Sequence, residues 1–150
     1  QYTAPSAKGG KIPVTNCIID TNALISFVTD RNPAQQDKIT KLLDDAVRLK
    51  VRVLCPQNVL TEFIYVMDTV YNIRKTEIRD IVRDFINLPG IEIVHRINLK
   101  TLFEFWPEKV PDYGDAIIAA ICKDTAGASV ATFDRKFRIK LKKLDISTTS

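Results

Sequence analysis

The sequence has few histidines and cysteines, so few side chains other than carboxylates could bind a metal or act as a nucleophile or base. It contains one histidine, His95, and three cysteines that lie singly in apolar runs, at positions 17, 55 and 122. Zinc sites need close pairs of histidine or cysteine ligands, so this composition argues against one, and His95 would be the only base available to a serine–histidine–aspartate triad. The five glycines form neither a GxxxxGK loop nor a GxGxxG loop, and no GxSxG elbow is present. Any chemistry therefore depends on carboxylates.

Long apolar runs are also missing. The longest, residues 116–122, is far shorter than the roughly 20 residues that cross a bilayer, and the N-terminal QYTAPSAKGG lacks the apolar core of a secretion signal. The odd number of cysteines favours buried free thiols in a reducing compartment. We therefore expect a soluble, cytoplasmic protein without membrane contact. Residues 1–10 are expected to be a disordered leader or tag remnant, and residues 11–150 a single domain.

Short apolar runs, often β-branched, alternate with amphipathic stretches along the chain. Such runs are typical of strands covered on both faces, and apolar residues at i, i+3, i+4 and i+7 are typical of helices. The predicted strands cover residues 14–19, 51–55, 91–94 and 129–133, and the predicted helices cover residues 39–47, 58–70, 78–86 and 116–122. The last helix is apolar all round, so we expect it to be buried on most sides. The alternation predicts a three-layer α/β/α sandwich with a mainly parallel central sheet.

Four acidic residues stand at strand ends or helix starts in this pattern. Asp20 ends the first predicted strand, and Asp134 follows the fourth. Asp115 opens the apolar helix, and Glu62 lies in the first turns of the helix over residues 58–70. Ligands of parallel sheets bind outside the carboxyl ends of the strands, where residues in such places can converge.

Each of these acids also has an ordinary structural explanation. Asp115 alone is equally well explained as a helix cap, Glu62 alone is more often a solvated helix residue, and Asp134 stands beside two cations that could pair with it. Asp20 is harder to explain in this way. It directly follows three apolar residues, where a buried charge costs several kcal/mol unless it has a partner. Four acids in one place repel one another unless a cation neutralises them, and oxygen ligands select a hard ion, Mg²⁺ or Mn²⁺.

Four segments, IIDTNAL, VLTEFIYV, GDAIIAA and ATFDRKF, occur in the order and at the spacing of the successive motifs of PIN-domain nucleases. The chain resembles this family from residue 11 to its end, and within the family it resembles the VapC-like toxins of prokaryotic toxin–antitoxin pairs. The resemblance implies Mg²⁺- or Mn²⁺-dependent endonucleolytic cleavage of single-stranded or looped RNA, leaving a 5′-phosphate and a 3′-hydroxyl. It also implies a homodimer and, for a toxin, an antitoxin whose segment fills the groove near the acids.

Position by position, the resemblance implies catalytic metal ligands at Asp20, Glu62, Asp115 and Asp134, with Asn22 and Thr132 as supporting polar neighbours. Asp112 is an additional acid three residues before Asp115. It either assists the metal site or caps the preceding turn, and we expect the cap. In the first motif, we expect Thr21 and Asn22 to supply turn and capping groups for a helix that begins at Ala23.

A run of cations without an intervening acid follows Asp134, and its members are Arg135, Lys136, Arg138, Lys140, Lys142 and Lys143. The run is either a phosphate-binding stripe whose first four members contact RNA, or a solvated helix face above apolar residues 137, 141 and 144, and the two are compatible. A second group, Phe103, Phe105, Trp106 and Tyr113, precedes the third acidic motif. These aromatic residues either include a base-stacking platform or, as we expect, pack in the core or a subunit interface.

Other functions compete with a nuclease. A phosphatase or phospho-acceptor domain also places an aspartate at the end of its first strand. However, Asn22 occupies the second acidic position of the DxD pattern, and the third strand runs into His95 without an acceptor aspartate. A non-cleaving RNA- or protein-binding scaffold is the more serious alternative, and the intact acids argue against it. Among nucleases, an RNA-processing enzyme without an antitoxin is the alternative to a toxin.

Overall fold

The computed structural model describes residues 15–149, which form five strands and seven helices. In chain order these are β1 (Thr15–Ile19), α1 (Thr21–Val28), α2 (Pro33–Val47), β2 (Val51–Pro56), α3 (Gln57–Thr69), α4 (Lys75–Ile86), β3 (Ile91–Val94), α5 (Leu99–Phe105), α6 (Tyr113–Lys123), β4 (Ala128–Ala131), α7 (Arg135–Lys143) and β5 (Ser147–Thr149). The predicted leader, residues 1–10, and the predicted start of the first strand at residue 14 lie outside the described residues.

The strands form one parallel sheet in the order β3-β2-β1-β4-β5, which places β1 at its centre. Helix α1 packs against α2 and α3, and α3 packs against α4. Helices α2 and α3 contact β2, and α4 contacts β3, whereas α5 packs against α6, and α6 contacts β1 and β4. The predicted three-layer α/β/α sandwich is therefore confirmed. Parallel neighbours bring the carboxyl ends of β1, β2 and β4 to the same edge of the sheet.

The centre of the sheet and α6 are buried as their apolar sequences predict. Cys17, Ile18 and Ile19 of β1 are buried, and so is every residue of α6 from Ala116 to Cys122. The three cysteines are free and buried, in agreement with the sequence. None of the helices within residues 15–149 has the length and apolar composition needed to span a bilayer.

Several element boundaries differ from the prediction, mostly around the sheet edge. Helix α1 begins at Thr21 rather than Ala23, because the Asp20 side chain itself accepts a hydrogen bond from the Thr21 backbone N–H and caps the helix. Strand β4 ends at Ala131 rather than at residue 133. The next residue, Thr132, lies outside the strand, and its hydroxyl donates a hydrogen bond to Asp20. Helix α5 and strand β5 are not among the predicted elements. They have only seven and three residues, which is too short for a clear hydrophobic periodicity.

Candidate active site

Asp20 is the buried centre of the candidate site. It lies at the carboxyl end of β1 with 5% of its surface exposed, and its backbone N–H donates to the Ala131 carbonyl at 3.0 Å. One carboxylate oxygen, Oδ1, accepts from the Thr21 N–H at 2.7 Å. The other, Oδ2, accepts from the Thr132 hydroxyl at 2.7 Å and from Asn22 Nδ2 at 3.0 Å. Both oxygens are therefore held in fixed directions.

Asn22 and Thr132 join the end of β1 to the start of α7. Asn22 Nδ2 also approaches the Thr132 hydroxyl at 3.2 Å, and Asn22 Oδ1 accepts from the Phe133 backbone N–H at 2.9 Å. The Thr132 hydroxyl in turn accepts from the Asp134 backbone N–H at 3.1 Å. These bonds place the two predicted supporting residues directly around Asp20 and connect it to Asp134 through one hydroxyl group.

Asp112 and Asp115 are neighbours at the start of α6. The Asp112 side chain accepts from the Asp115 backbone N–H at 2.9 Å, so Asp112 is the N-cap, and Asp115 points its own carboxylate elsewhere. Gly114 lies between them, and a side-chain carbon there would come within 3.2 Å of an Asp112 carboxylate oxygen and 3.5 Å of Asn58 Nδ2. The absence of a side chain at Gly114 therefore leaves room for the Asp112 carboxylate in its capping position.

Electrostatic interaction connects the predicted acids. The pKa of Asp115 is raised to about 7 by partial burial first and then by the nearby carboxylates of Asp20, Asp112, Asp134 and Glu62, in that order. Burial likewise raises the pKa of Asp20, with smaller increases from Glu62 and Asp134, while the bonds from Thr132 and Thr21 oppose the increase. The five acids therefore share one region of negative potential.

The depth of the acids differs. Asp20 is buried and Asp115 is half-buried, whereas Glu62, Asp112 and Asp134 are exposed. Asp134 is the N-cap of α7, because its carboxylate accepts from the Phe137 backbone N–H at 3.1 Å. The explanation considered for Asp134 was an ion pair with adjacent cations, but among the described residues it forms none and caps α7 instead. The explanation considered for Asp115 was a helix cap, and Asp115 is not a cap.

The donor set fits a hydrated divalent ion better than a closed metal cage. Between residues 15 and 149, no three acidic, histidine or cysteine side chains already lie at the mutual distances of a complete ion site. Mg²⁺ typically binds through one or two carboxylates and keeps several waters, so an open arrangement is compatible with it. Asn58 Oδ1 is a further oxygen compatible with such an ion, because it is buried and has no hydrogen-bond partner within the described residues. Asn58 Nδ2 donates to the Gly114 carbonyl at 3.5 Å.

The predicted basic residues lie on α7, which begins immediately after Asp134. Phe137 and Leu141 bury one face of this helix, and Arg135, Lys136 and Arg138 are exposed while Lys140 is half-buried. None of these four cations forms an ion pair within the part of the chain that the structure describes. Arg135, Arg138 and Lys142 line an open groove of about 770 Å³ between α7 and β5. Asp145 also lines the groove, so three cations outnumber one acid there, and the first of them, Arg135, directly follows Asp134 in the chain.

Sequence reasoning missed two polar residues near this edge. Asn58 lies one turn before Glu62 on α3, and that i, i+4 spacing is the signal that could have identified it. Arg31 follows α1, and its guanidinium donates to the Asn22 backbone carbonyl at 2.9 Å and to Ser26 Oγ at 3.0 Å. Arg31 therefore attaches the loop after α1 to α1 itself, a side-chain contact that periodicity cannot predict.

The structure is a parallel α/β domain with several acidic residues at one edge of its sheet, and comparison with known proteins identifies its family. The PIN domain profile matches residues 17–141. The chain therefore belongs to the PIN domain family. No curated protein sequence matches it significantly.

Solved structures with the same fold include toxins and an endonuclease. VapBC2 from Rickettsia felis, bound to a DNA fragment from its promoter, is 14% identical with a TM-score of 0.62, and the match covers 90% of this chain and 98% of that one. The toxin VapC20 of Mycobacterium tuberculosis, which cleaves the sarcin–ricin loop, is 14% identical with a TM-score of 0.58, covering 82% and 93%. The PIN domain endonuclease Utp24 is 17% identical with a TM-score of 0.52, covering 90% and 85%.

Proposed function

We propose that this protein is a Mg²⁺- or Mn²⁺-dependent endoribonuclease that hydrolyses phosphodiester bonds in single-stranded or looped RNA. The observation that carries the proposal is the convergence of Asp20, Glu62, Asp115 and Asp134 in one negative region at the carboxyl edge of the sheet. Membership of the PIN domain family, which includes the endonuclease Utp24 among its solved folds, supports the same activity.

The four acids would hold the ion, and the surrounding residues would prepare them for it. When bound, a divalent ion supplies positive charge for the phosphate oxygens and makes water more acidic. Asn22 and Thr132 fix the direction of the Asp20 carboxylate, as outer-shell partners of metal ligands commonly do. The exposed cations of α7 attract the phosphodiester backbone toward the acids, which would otherwise repel it.

The direct test is cleavage of an RNA hairpin with an unpaired loop. We expect the purified protein to cut the loop in Mg²⁺ or Mn²⁺, to leave 5′-phosphate ends, and to lose this activity in excess EDTA until metal is restored. Cleavage that persists in EDTA would contradict metal dependence. Binding of the hairpin without cleavage in any metal would instead support the scaffold alternative.

Metal binding is also expected to stabilise the folded protein. An ion that binds only the native state at ten times its dissociation constant contributes about 1.4 kcal/mol, which corresponds to a rise of roughly 3–6 °C in the melting temperature of a chain of this size. The rise should be larger at pH 8 than at pH 5.5, because protonated Asp115 competes with the ion. Differential scanning fluorimetry with Mn²⁺ measures it, and Asp20→Asn is the control that should show a smaller rise. An unchanged melting temperature at every millimolar concentration would count against the ion site.

We further propose that the nuclease is the toxin of a toxin–antitoxin pair and acts in the cytoplasm as a homodimer. The similarity of its fold to VapC20 and VapBC2 supports this role, and the exposed apolar residues Ile64, Tyr65 and Val70 on and just after α3 offer a surface for a protein partner. The alternative is an RNA-processing nuclease, which the fold of Utp24 supports. A short reading frame with a DNA-binding N-terminus beside the gene would favour the toxin, and its absence the processing enzyme.

A further inference from the structure

Three aromatic rings form a partly exposed group beside the start of α6. The ring centroids of Trp106 and Tyr113 lie 5.0 Å apart in an edge-to-face arrangement, and those of Phe103 and Trp106 lie 6.2 Å apart. Phe103 is 54% exposed and Tyr113 43% exposed, whereas Phe105, the fourth aromatic residue of this region, is buried in the core. Of the two expected places, the core or a subunit interface, Phe105 lies in the core, and Phe103 and Tyr113 do not.

The group is held rigidly by the surrounding chain. The Trp106 indole N–H donates to the Pro111 carbonyl at 3.0 Å, and its backbone N–H donates to the Leu102 carbonyl at 2.9 Å. The Trp106 ring also packs against the hydrophobic core. A ligand that stacks on these rings would therefore find them already ordered, so little conformational entropy is lost on binding.

The position of the group connects it to the acids. Tyr113 is the first residue of α6, directly between the cap Asp112 and Gly114, and Asp115 follows two residues later in the same turn. Side chains two positions apart on a helix point in different directions, so a strand with its phosphate at the acids reaches Tyr113 by crossing the start of α6. The acids repel that phosphate, so they cannot supply affinity for it by charge. Stacking on an aromatic ring needs no charge and accepts every base, because each base has a π-face.

We propose that Phe103, Trp106 and Tyr113 form a nucleobase-stacking platform that holds one or two unpaired bases of an RNA strand beside the phosphodiester at the acids. This inference rests on the proposed nuclease function and adds a subsite to it. It also accounts for selection of unpaired RNA, since the faces of bases within a duplex are covered by their neighbours.

A protein contact explains the exposed rings less well. The exposed parts of the three rings amount to roughly 250 Å² by the usual areas of aromatic side chains. A stable subunit interface needs about 800 Å² on each partner. Leu99, which is 53% exposed and lies one turn before Phe103, enlarges the exposed apolar area but leaves it well below the area that an interface needs.

Fluorescence of Trp106 tests the platform directly, because this residue is the only tryptophan in the chain. The full-length protein in EDTA, and Asp20→Asn in parallel, are titrated with a single-stranded oligoribonucleotide, with the same sequence as a duplex, and with inorganic polyphosphate. We expect saturable quenching with the single strand, weak quenching with the duplex, and none with polyphosphate, which offers phosphates without bases.

Matched variants separate stacking from general effects. Tyr113→Leu and Phe103→Leu should each weaken single-strand binding about tenfold, as expected for loss of one stacked base. Tyr71→Leu is the control, since Tyr71 is similarly exposed (36%) but lies beyond the far end of α3, and it should leave binding unchanged.

The outcomes distinguish this proposal from the proposed function. Hairpin cleavage by the wild type together with unquenched Trp106, or with unchanged binding by Tyr113→Leu, overturns the platform and leaves the nuclease intact. Quenching without cleavage in any metal retains the platform and overturns the nuclease. Fluorescence that changes with protein concentration in the absence of RNA overturns the platform and assigns the rings to contacts between copies of the chain. No RNA binding at all overturns the platform without assigning the rings to another role.

Discussion

Asp20→Asn is expected to lower RNA cleavage by about a thousandfold, the scale on which loss of a central electrostatic group in an active site reduces turnover. Asparagine keeps the size of the side chain but removes the negative charge that would hold the ion. Its amide group would also face the Asn22 amide, which now donates to a carboxylate oxygen at 3.0 Å. The measurement is the single-turnover rate on the hairpin substrate, with the melting temperature recorded to show that the variant is folded.

Thr132→Val provides the matched control for this variant. It removes the hydroxyl that donates to Asp20 Oδ2 at 2.7 Å but leaves the carboxylate and its charge in place. Loss of an outer-shell partner commonly costs about 10–100-fold in metal affinity or activity, so part of the defect should be recovered at high metal concentration. Asp20→Asn should not be recovered in this way. If both variants lost cleavage activity to the same extent and neither recovered at high metal concentration, Asp20 would have only a structural role.

Asp115→Asn is expected to abolish cleavage while making the metal-free protein more stable at neutral pH. The pKa of Asp115 in the folded protein is about 7, against an ordinary value of 3.8, so folding favours its protonated form. That contribution to stability is complete below about pH 4 and is lost as the pH rises toward 7. Full conversion of the shift would give about 4 kcal/mol, and partial exposure reduces it to about 2 kcal/mol. The variant should therefore gain about 2 kcal/mol over the wild type at pH 8 and little at pH 4.

Urea unfolding in EDTA at several pH values measures this difference. Asp84→Asn, which removes an exposed acid on α4, controls for the loss of one negative charge and should show no comparable pH-dependent gain. If Asp115→Asn proved less stable than the wild type at pH 8, the residue would be needed for the start of α6 itself, and the repulsion among the acids would be too weak to require a cation.

Fold class was predictable because apolar sequence is a strong signal where both faces of an element are buried. Helix α6 illustrates this, since all seven residues from 116 to 122 are apolar and all are buried. Strand β5 illustrates the opposite case. Its sequence, STT, has no apolar residue, and it becomes a strand because its backbone pairs with β4 in parallel register from Ser129↔Ser147. Tertiary pairing of this kind leaves no trace in local periodicity.

Residues of the candidate site were predictable where their polarity departs from the pattern of the neighbouring residues. Asp20 places a charge after a buried strand. The extra acid Asp112 is a cap as expected, but it caps helix α6 rather than the preceding turn. The exposure of Phe103 and Tyr113 could not be predicted, because an aromatic residue at a helical position indicates burial on average and the direction of each ring depends on packing. The orphan acceptor of Asn58 likewise depends on how closely α3 approaches Gly114, which is a tertiary distance.

The central position of β1 determines when the enzyme can first become active. Asp20 is made early in synthesis, but its surroundings depend on β4, since Ile19 is in register with Ala131 and Thr132 supplies the hydroxyl to Asp20. A nascent chain that ends before β4 contains Asp20, Glu62 and Asp115 but neither Asp134 nor the Thr132 hydroxyl. Under the proposed function, such a chain would lack the complete set of acids, so it would be inactive next to the RNA of the ribosome until nearly all of it has folded.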